Sequence, residues 1–242
     1  MRHLVLWDID GTLVEAGGAG REAFRDAFAQ VFGRSLERLV PMAGRTDHDI
    51  ALEILELNGV EGGDEHLDAF SAALHEALVG KREAIHRLGR ALPGAREALA
   101  ALGREPGVLQ SLLTGNIEPN AAVKLSAFGL EGYVDLEVGG YGSDHRLRPH
   151  LVDIARAKAE RKHGHAFGPE DTVLVGDTPL DVAAGREGGA RVVAVATGMS
   201  DEHELRAAGA DAVLPDLRDT RRVLDAVLER GAPGRRPSPG GA

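Results

Sequence analysis

The feature that most constrains this chain is a short apolar run at residues 4–7 followed at once by two acids, Asp8 and Asp10. A run this short and this apolar is typical of a buried β-strand. Because side chains alternate along a strand, acids two residues apart fall on the same side of its carboxyl end. Carboxylates this close repel each other, so they need a cation, hydrogen-bond donors or a shared proton. The segment alone also fits a strand that leaves the core through an Asp/Gly turn.

Composition narrows the class of protein. The chain has 242 residues and no cysteine, so it can bury a full core but cannot build thiolate metal sites or use thiol catalysis. Its net charge is −10 and its arginines are scattered among acids, so a nucleic-acid partner is not expected. The first strand begins too early for a secretory signal, and no apolar run reaches the roughly 18 residues of a membrane span. We therefore predict a soluble cytoplasmic protein with no membrane partner.

The spacing of apolar residues divides the chain into two kinds of structure. Residues 14–20 contain a glycine-rich run that favours a hinge, and residues 21–88 have helical spacing with no readable strand, the last helix being predicted over residues 67–88. After Pro93 helices alternate with strands, including one near residues 134–138, which is typical of a parallel sheet covered by helices. We predict an α/β core from residues 1–16 and 90–230, a helical insertion at residues 17–89, and a disordered tail at residues 231–242.

Polar residues follow four of the predicted strands or precede the helices after them. In an open α/β sheet such residues converge, because the site lies at the carboxyl ends of the strands. A hydroxyl and backbone N–H groups ahead of a helix can hold phosphate oxygens, and two acids four residues apart across a strand-to-helix turn can face one divalent cation. The four places are Asp8 with Asp10, Thr114-Gly115-Asn116, Arg148, and Asp177 with Asp181.

These residues resemble, in order, the four motifs of the haloacid dehalogenase superfamily. Asp-Ile-Asp-Gly-Thr-Leu-Val at residues 8–14 is similar to the first motif, Leu-Leu-Thr-Gly-Asn at residues 112–116 to the second, and Val-Leu-Val-Gly-Asp-Thr-Pro-Leu-Asp at residues 173–181 to the fourth. The insertion after the first motif resembles the helical cap of the phosphoglycolate phosphatase-like branch. The resemblance implies a Rossmann-like parallel sheet and a phosphatase that uses Mg2+ to hydrolyse a small phosphorylated metabolite.

The resemblance also implies a role for each matching residue. Asp8 is the expected nucleophile, which forms an aspartyl phosphate, and Asp10 is the expected acid and base. Mg2+ is expected on Asp8, the Asp10 backbone carbonyl and Asp177, with Asp181 supporting directly or indirectly. Phosphate oxygens are expected to be bound by Thr114, with further contacts from Gly11, Thr12, Gly115 and Asn116.

The third motif departs from the family pattern, which usually supplies a lysine. Here the sequence has Arg148 before Pro149, with Arg146 as the competing candidate. Arginine can neutralise the nucleophile and the phosphate, but as a planar fork rather than a point charge. Arg45 opens a helix where the family's specificity loop falls, so it is a candidate substrate contact; the alternative is an exposed loop arginine.

Alternative functions remain open at this stage. A sugar-phosphate mutase has the same core and uses the cap to retain a bisphosphate intermediate. A module that only binds a phosphorylated ligand is disfavoured, since such a module has no need of Asp8. Asp10 disfavours a dehalogenase, which needs no leaving-group acid. The oligomeric state is expected to be monomer or homodimer.

Overall fold

The computed structural model describes residues 3–229, so the predicted tail at residues 231–242 lies outside the described residues. Eight strands occur in this part of the chain: β1 (His3–Trp7), β2 (Val14–Glu15), β3 (Arg90–Ala91), β4 (Val108–Thr114), β5 (Gly140–Tyr141), β6 (Thr172–Gly176), β7 (Arg191–Val195) and β8 (Ala212–Leu214). Six of them form a parallel sheet in the order β5-β4-β1-β6-β7-β8. β2 and β3 pair separately as an antiparallel ribbon.

Ten α-helices accompany these strands within the described residues. They are α1 (Ala19–Phe32), α2 (Asp47–Leu57), α3 (Gly63–Gly80), α4 (Arg82–Leu88), α5 (Ala95–Leu102), α6 (Glu118–Ser126), α7 (Pro149–His163), α8 (Pro179–Glu187), α9 (Glu202–Ala208) and α10 (Thr220–Leu228). Helices α5, α6 and α10 cover one face of the sheet, and α7, α8 and α9 cover the other. The predicted α/β fold with a Rossmann-like parallel sheet is confirmed.

The central strand β1 shows why this sequence builds a sheet covered on both faces. Val5 and Trp7 point into the apolar cluster under α5, α6 and α10, and Leu4 and Leu6 point into the cluster under α7 and α8. Every second residue therefore faces the same side, and both sides are apolar, as a parallel strand between two helical layers requires. β4 and β6 flank β1, so the segment after β1 lies in the middle of the sheet edge.

The four helices between β2 and β3 share an apolar core of their own. Phe24, Phe28, Ile54 and Phe70 are buried in it, and burial of one such side chain contributes roughly 1.5–3 kcal/mol. Because β2 and β3 pair, the chain leaves and re-enters the α/β core at adjacent points. The exact domain boundaries stay predictions. Across residues 3–229 the helices are too short or too polar to cross a membrane.

Two sequence-based element predictions are wrong. Residues 134–138 form no strand; they belong to a segment of 3-10 turns at Glu131–Tyr133 and Leu136–Val138, and β5 follows. The Asp135 carboxylate accepts a hydrogen bond from Glu137 N at 3.2 Å. This bond closes a turn and uses an N–H that in a strand would bond to the neighbouring strand. The helix predicted over residues 67–88 is broken at Lys81 between α3 and α4, directly after Gly80, a residue that weakens helices.

Candidate active site

Three buried carboxylates converge where β1 and β6 end. Asp8 follows β1, and its backbone N–H donates to Val175 O of β6 at 2.8 Å, which extends the strand pairing to this residue. Asp177 follows β6, and Asp181 lies in the first turn of α8. One carboxylate oxygen from each of these three acids lies within 4.8 Å of the others. The spacing of the two acids in the fourth motif thus brings both to the carboxylate at the end of β1.

Arg148 is the basic residue at this cluster. Its side chain is buried, and its Nη2 donates to Asp8 Oδ1 at 3.2 Å and also to Asp181 Oδ1. Arg146, the competing candidate, is exposed. The structure therefore places Arg148, and not Arg146, against the predicted nucleophile.

The carboxylate of Asp181 is held by its own loop. Its Oδ2 accepts hydrogen bonds from Thr178 N at 3.0 Å and Thr178 Oγ1 at 2.6 Å, which together with the bond from Asp181 N to Thr178 Oγ1 form a capping box at the start of α8. Its Oδ1 faces Arg148. Asp181 thus fixes both the start of α8 and the guanidinium that touches Asp8.

Asp177 has a different environment. Its Oδ1 accepts a hydrogen bond from Thr12 Oγ1 at 3.0 Å, so the Thr12 hydroxyl, predicted to bind phosphate, is directed at this acid. Backbone also approaches the carboxylate closely: a Cβ at Gly11 would lie 2.4 Å from Asp177 Oδ2, and a Cβ at Gly198 would lie 1.7 Å from it. A side chain at either glycine would therefore displace Asp177.

The charge of the cluster fits a divalent cation. Three carboxylates face one guanidinium, and burial together with the charge of Asp181 raises the pKa of Asp8. Burial and the charge of Asp8 likewise raise the pKa of Asp177. Carboxylate oxygens are hard ligands of the kind that Mg2+ binds, and a divalent cation between Asp8 and Asp177 would turn their repulsion into attraction.

Asp10 lies outside the three-acid cluster and is bonded to α6 instead. Lys124 Nζ donates to Asp10 Oδ1 at 2.8 Å and to Asp10 Oδ2 at 2.6 Å, and Asn116 Nδ2 donates to Asp10 Oδ2 at 2.8 Å. The sequence motifs did not single out Lys124. Its only signal is its place on the buried face of α6, beside Ala121 and Leu125, where a lysine needs a buried partner.

A cavity of about 310 Å3 lies above these residues, between the sheet edge and the helical insertion. Most of the predicted site residues line it: Asp8, Asp10, Gly11, Arg45, Thr114, Gly115, Asn116, Arg148 and Asp177. Thr12 and Asp181 are fully buried beside it and act on Asp177 and Arg148 through hydrogen bonds. The roof of the cavity includes the apolar side chains of Phe24, Ile50, Leu74 and Leu78.

The roof is joined to the sheet edge by residues 42–47, which we call the docking loop. Asp47 N donates to Gly115 O at 2.7 Å, and the Asp47 carboxylate accepts from Ile117 N at 2.9 Å. The two backbones touch here, because a Cβ at Gly115 would lie 1.9 Å from Arg45 O. The helical insertion is thus closed over the cavity in this structure.

Arg45 lies in the docking loop but is paired within the helical insertion. Its Nε donates to Asp49 Oδ2 at 2.7 Å, and its Nη1 lies 2.5 Å from Glu53 Oε2. Its side chain lines the cavity while its charge is met by two acids of α2. The structure therefore gives Arg45 a position between the two predicted alternatives, neither an unpaired substrate contact nor a fully exposed loop arginine.

Known proteins resemble this chain in both sequence and fold. Residues 5–186 match the family model described as haloacid dehalogenase-like hydrolase. Pyrophosphatase PpaX of Anoxybacillus flavithermus is 23% identical over 224 residues, which cover 92% of this chain and 96% of that protein. A hydrolase from Pseudomonas syringae aligns with a TM-score of 0.67 and 23% identity over 93% of this chain and 98% of its own. CbbY from Rhodobacter sphaeroides, solved in complex with phosphate, aligns with a TM-score of 0.65 and 20% identity over 90% of this chain and 96% of its own.

The match spans most of the α/β core together with the whole helical insertion, and it includes the four polar sites at the sheet edge. The chain therefore belongs to the haloacid dehalogenase-like hydrolases.

Proposed function

We propose that this protein is a Mg2+-dependent phosphatase that hydrolyses a small phosphomonoester through an aspartyl phosphate on Asp8. The observation that carries the proposal is the meeting of Asp8 with Arg148 and two further acids at the floor of the cavity beneath the helical insertion. Phosphoryl transfer needs in-line placement and charge neutralisation more than any other assistance, and the Arg148 guanidinium beside Asp8 supports the second of these. The cytoplasmic location and the monomeric or dimeric state stay predictions.

Asp8 and Asp177 are the side chains proposed to hold Mg2+, together with the backbone carbonyl of Asp10. Asp181 has donors on both of its oxygens, so we assign it the support of Arg148 and of the loop that carries Asp177. When bound, Mg2+ neutralises negative charge on the phosphoryl oxygens. Arg148, which donates to Asp8 Oδ1 at 3.2 Å, would contribute a second positive charge.

The proposed reaction has two steps, each with a role for Asp10. In the first, an Asp8 oxygen attacks phosphorus, the bond to the leaving oxygen breaks, and that oxygen takes the broken bond's electron pair and a proton from Asp10. In the second, water attacks phosphorus and gives a proton to Asp10, and the bond between Asp8 and phosphorus breaks. Thr114, Gly115 and Asn116 line the cavity, and the Thr114 hydroxyl and the Gly115 backbone N–H are the donors we propose for the transferred phosphoryl oxygens.

The cavity walls indicate the class of leaving group. Among the described residues, the basic side chains lining the cavity are Arg21, Arg45, Lys124 and Arg148. The last three are paired with carboxylates, and Arg21 is exposed at the start of α1. Apart from the exposed Arg21 at the start of α1, a second anionic group on the substrate would thus face paired cations and an apolar roof. We therefore propose an ester whose leaving group has an apolar part and no second charge.

This proposal separates the candidate activities. Pyrophosphate, suggested by the name of the PpaX relatives, has a fully charged leaving group and an entirely polar surface. A sugar-phosphate mutase must retain a bisphosphate, which also needs a second anion site. Pyrophosphate and a sugar bisphosphate are therefore both predicted to be weaker substrates than an aryl or alkyl monoester of the same size.

The test measures phosphate release from phenyl phosphate, phosphoglycolate and pyrophosphate, each with and without Mg2+. We expect phenyl phosphate to be turned over best and only with Mg2+, and Asp8→Asn to lose about ten-thousand-fold in kcat or more. Asp153→Asn is the matched control, because Asp153 is an exposed acid paired with Arg156 far from the cavity. Activity that survives Asp8→Asn overturns the mechanism, and a preference for pyrophosphate overturns only the assigned substrate class.

A further inference from the structure

Lys124 is the buried cation that the four motifs leave without a role. It lies on α6, and only 6% of its surface is exposed. Its ammonium makes hydrogen bonds to both oxygens of Asp10 and a third, at 2.6 Å, to Asn116 Oδ1. An ammonium has three N–H donors, so the three acceptors use all of them. Lys124 thus cannot bind a substrate oxygen without releasing one of these contacts.

Asn116 completes the arrangement around Asp10. Its amide Nδ2 donates to Asp10 Oδ2 and also to Thr114 Oγ1 at 2.9 Å, while its Oδ1 accepts from Lys124. Lys124, Asn116 and Asp10 therefore form a closed triangle of hydrogen bonds. The triangle fixes both carboxylate oxygens of Asp10, whose side chain is otherwise half exposed to the cavity.

A second acid also faces the ammonium. Asp47 of the docking loop is buried, and the charge of Lys124 stabilises its ionised form while the charge of Asp10 opposes it. Lys124 could in principle serve only to screen these two acids from each other when the helical insertion closes. The hydrogen bonds argue against a role in screening alone. Lys124 bonds to Asp10 twice, whereas Asp47 bonds to backbone atoms of residues 115 and 117.

We propose that Lys124 is a positioning residue for Asp10: with Asn116, it holds the Asp10 carboxylate at the cavity wall where the leaving oxygen must be met. This inference rests on the proposed function, since it assigns a residue that acts through the proposed acid and base. Removing a group that positions a proton donor slows the hydrolysis of an ester more when its leaving oxygen depends more on that proton. An alkoxide needs it, and nitrophenolate leaves without it.

The experiment compares kcat/KM of Lys124→Met and wild type on benzyl phosphate and p-nitrophenyl phosphate with Mg2+. This parameter covers only the steps up to departure of the leaving group, so it isolates the first transfer. We expect a loss of about a hundredfold for benzyl phosphate and of less than about tenfold for p-nitrophenyl phosphate. In an Asp10→Asn background the same substitution is expected to cost little, because its effect passes through Asp10.

Two further variants separate the alternatives. Lys162→Met is the matched control: Lys162 pairs with Asp135 and Glu137 away from the cavity, and we expect wild-type selectivity. In Lys124→Met/Asp47→Asn the repulsion with Asp10 is relieved, and we expect the selectivity change to persist. If Lys124→Met does not fold, Lys124→Gln is measured in its place, and its selectivity must change in the same direction.

Three results overturn the proposal for Lys124. They are an equal loss on both esters, a full effect of Lys124→Met in the Asp10→Asn background, and a return to wild-type selectivity in the double variant with Asp47→Asn. None of these results concerns the nucleophile. Failure of the proposed function is read separately, from activity that survives Asp8→Asn.

Discussion

Asp47, the first residue of α2, is hydrogen-bonded in both directions to the loop after β4: its N–H donates to Gly115 O and its carboxylate accepts from Ile117 N at 2.9 Å. The neighbouring Thr46 hydroxyl donates to Arg146 O at 2.8 Å and also caps α2. Closure of the helical insertion therefore depends on specific polar contacts as well as on apolar burial. Changes at these contacts are predicted to alter turnover without changing the groups that react.

Gly115→Ala tests this docking directly. The new Cβ would lie 1.9 Å from Arg45 O, so the docking loop must move away from the sheet edge. We expect kcat/KM for phenyl phosphate to fall at least tenfold and the free energy of unfolding to fall by about 1–3 kcal/mol, the usual cost of overpacking. Gly132→Ala is the control, because a Cβ there meets no described atom within 4 Å. Equal behaviour of the two variants in steady-state kinetics would contradict a docked loop.

Asp47→Asn is predicted to stabilise the protein at neutral pH. Burial, only partly offset by Lys124, raises the pKa of Asp47 to about 6 from an ordinary value of 3.8. The folded state therefore carries a penalty for ionising this acid that is complete above pH 6 and absent below pH 3.8. An asparagine keeps the acceptor for Ile117 N without the charge, so it removes the penalty.

The measurement is urea unfolding of Asp47→Asn and wild type across pH. We expect the variant to be more stable by about 3 kcal/mol near pH 7.5 and the difference to shrink toward about pH 4. The charged neighbours that face Asp47 from the core are Lys124 and Asp10. A difference that grows as pH falls would show that the carboxylate is stabilised, not penalised, in the folded protein.

The floor of the site is predictable from the sequence because it depends only on the local pattern at two strand ends. An apolar run followed by Asp8, and another followed by Asp177, must bring both acids to one edge of a parallel sheet. The bonds made by Thr12 and Asp181 were not readable, since side-chain direction within a turn depends on contacts across 165 and 33 residues of sequence.

Lys124 shows the limit of motif reading. It lies eight residues after Asn116 in sequence, and its ammonium reaches Asp10 only through the tertiary fold, across 114 residues of sequence. A lysine on the apolar face of a predicted helix was a usable signal, because such a charge is stable only when paired. The prediction of a strand at residues 134–138 is wrong because the local turn made by Asp135 outweighs the apolar pattern of this segment.

Asp177→Asn is predicted to abolish stabilisation by Mg2+. If Asp8 and Asp177 hold the ion, saturating Mg2+ raises the wild-type free energy of unfolding by about 2.7 kcal/mol at a hundred times its dissociation constant. The variant is expected to show no such rise, measured as the melting temperature with and without Mg2+. Without metal the variant is expected to be the more stable of the two proteins, because one of three mutually repelling buried acids is neutral. An equal Mg2+ effect in both proteins would place the ion elsewhere.

Arg148→Lys is predicted to be tolerated, although arginine and lysine are generally not equivalent. A single atom, Nη2, makes the contacts with Asp8 and Asp181, and it also lies 3.5 Å from Leu113 O. The Arg148 Nε is buried without a hydrogen-bond partner, so the fork geometry of the guanidinium is not used. A lysine ammonium has three donors on one nitrogen and can serve the same acceptors.

We therefore expect Arg148→Lys to keep kcat/KM within about tenfold of wild type and Arg148→Met to lose about a thousandfold, because the latter leaves buried acids without their cation. Arg146→Met is the matched control, because Arg146 is the exposed arginine of the same segment. The rate of this variant is expected to stay near that of wild type. Phosphate release from phenyl phosphate at saturating Mg2+ measures all three. A thousandfold loss in Arg148→Lys would show that the planar fork is needed once substrate is bound, and a large loss in Arg146→Met would return Arg146 to the site.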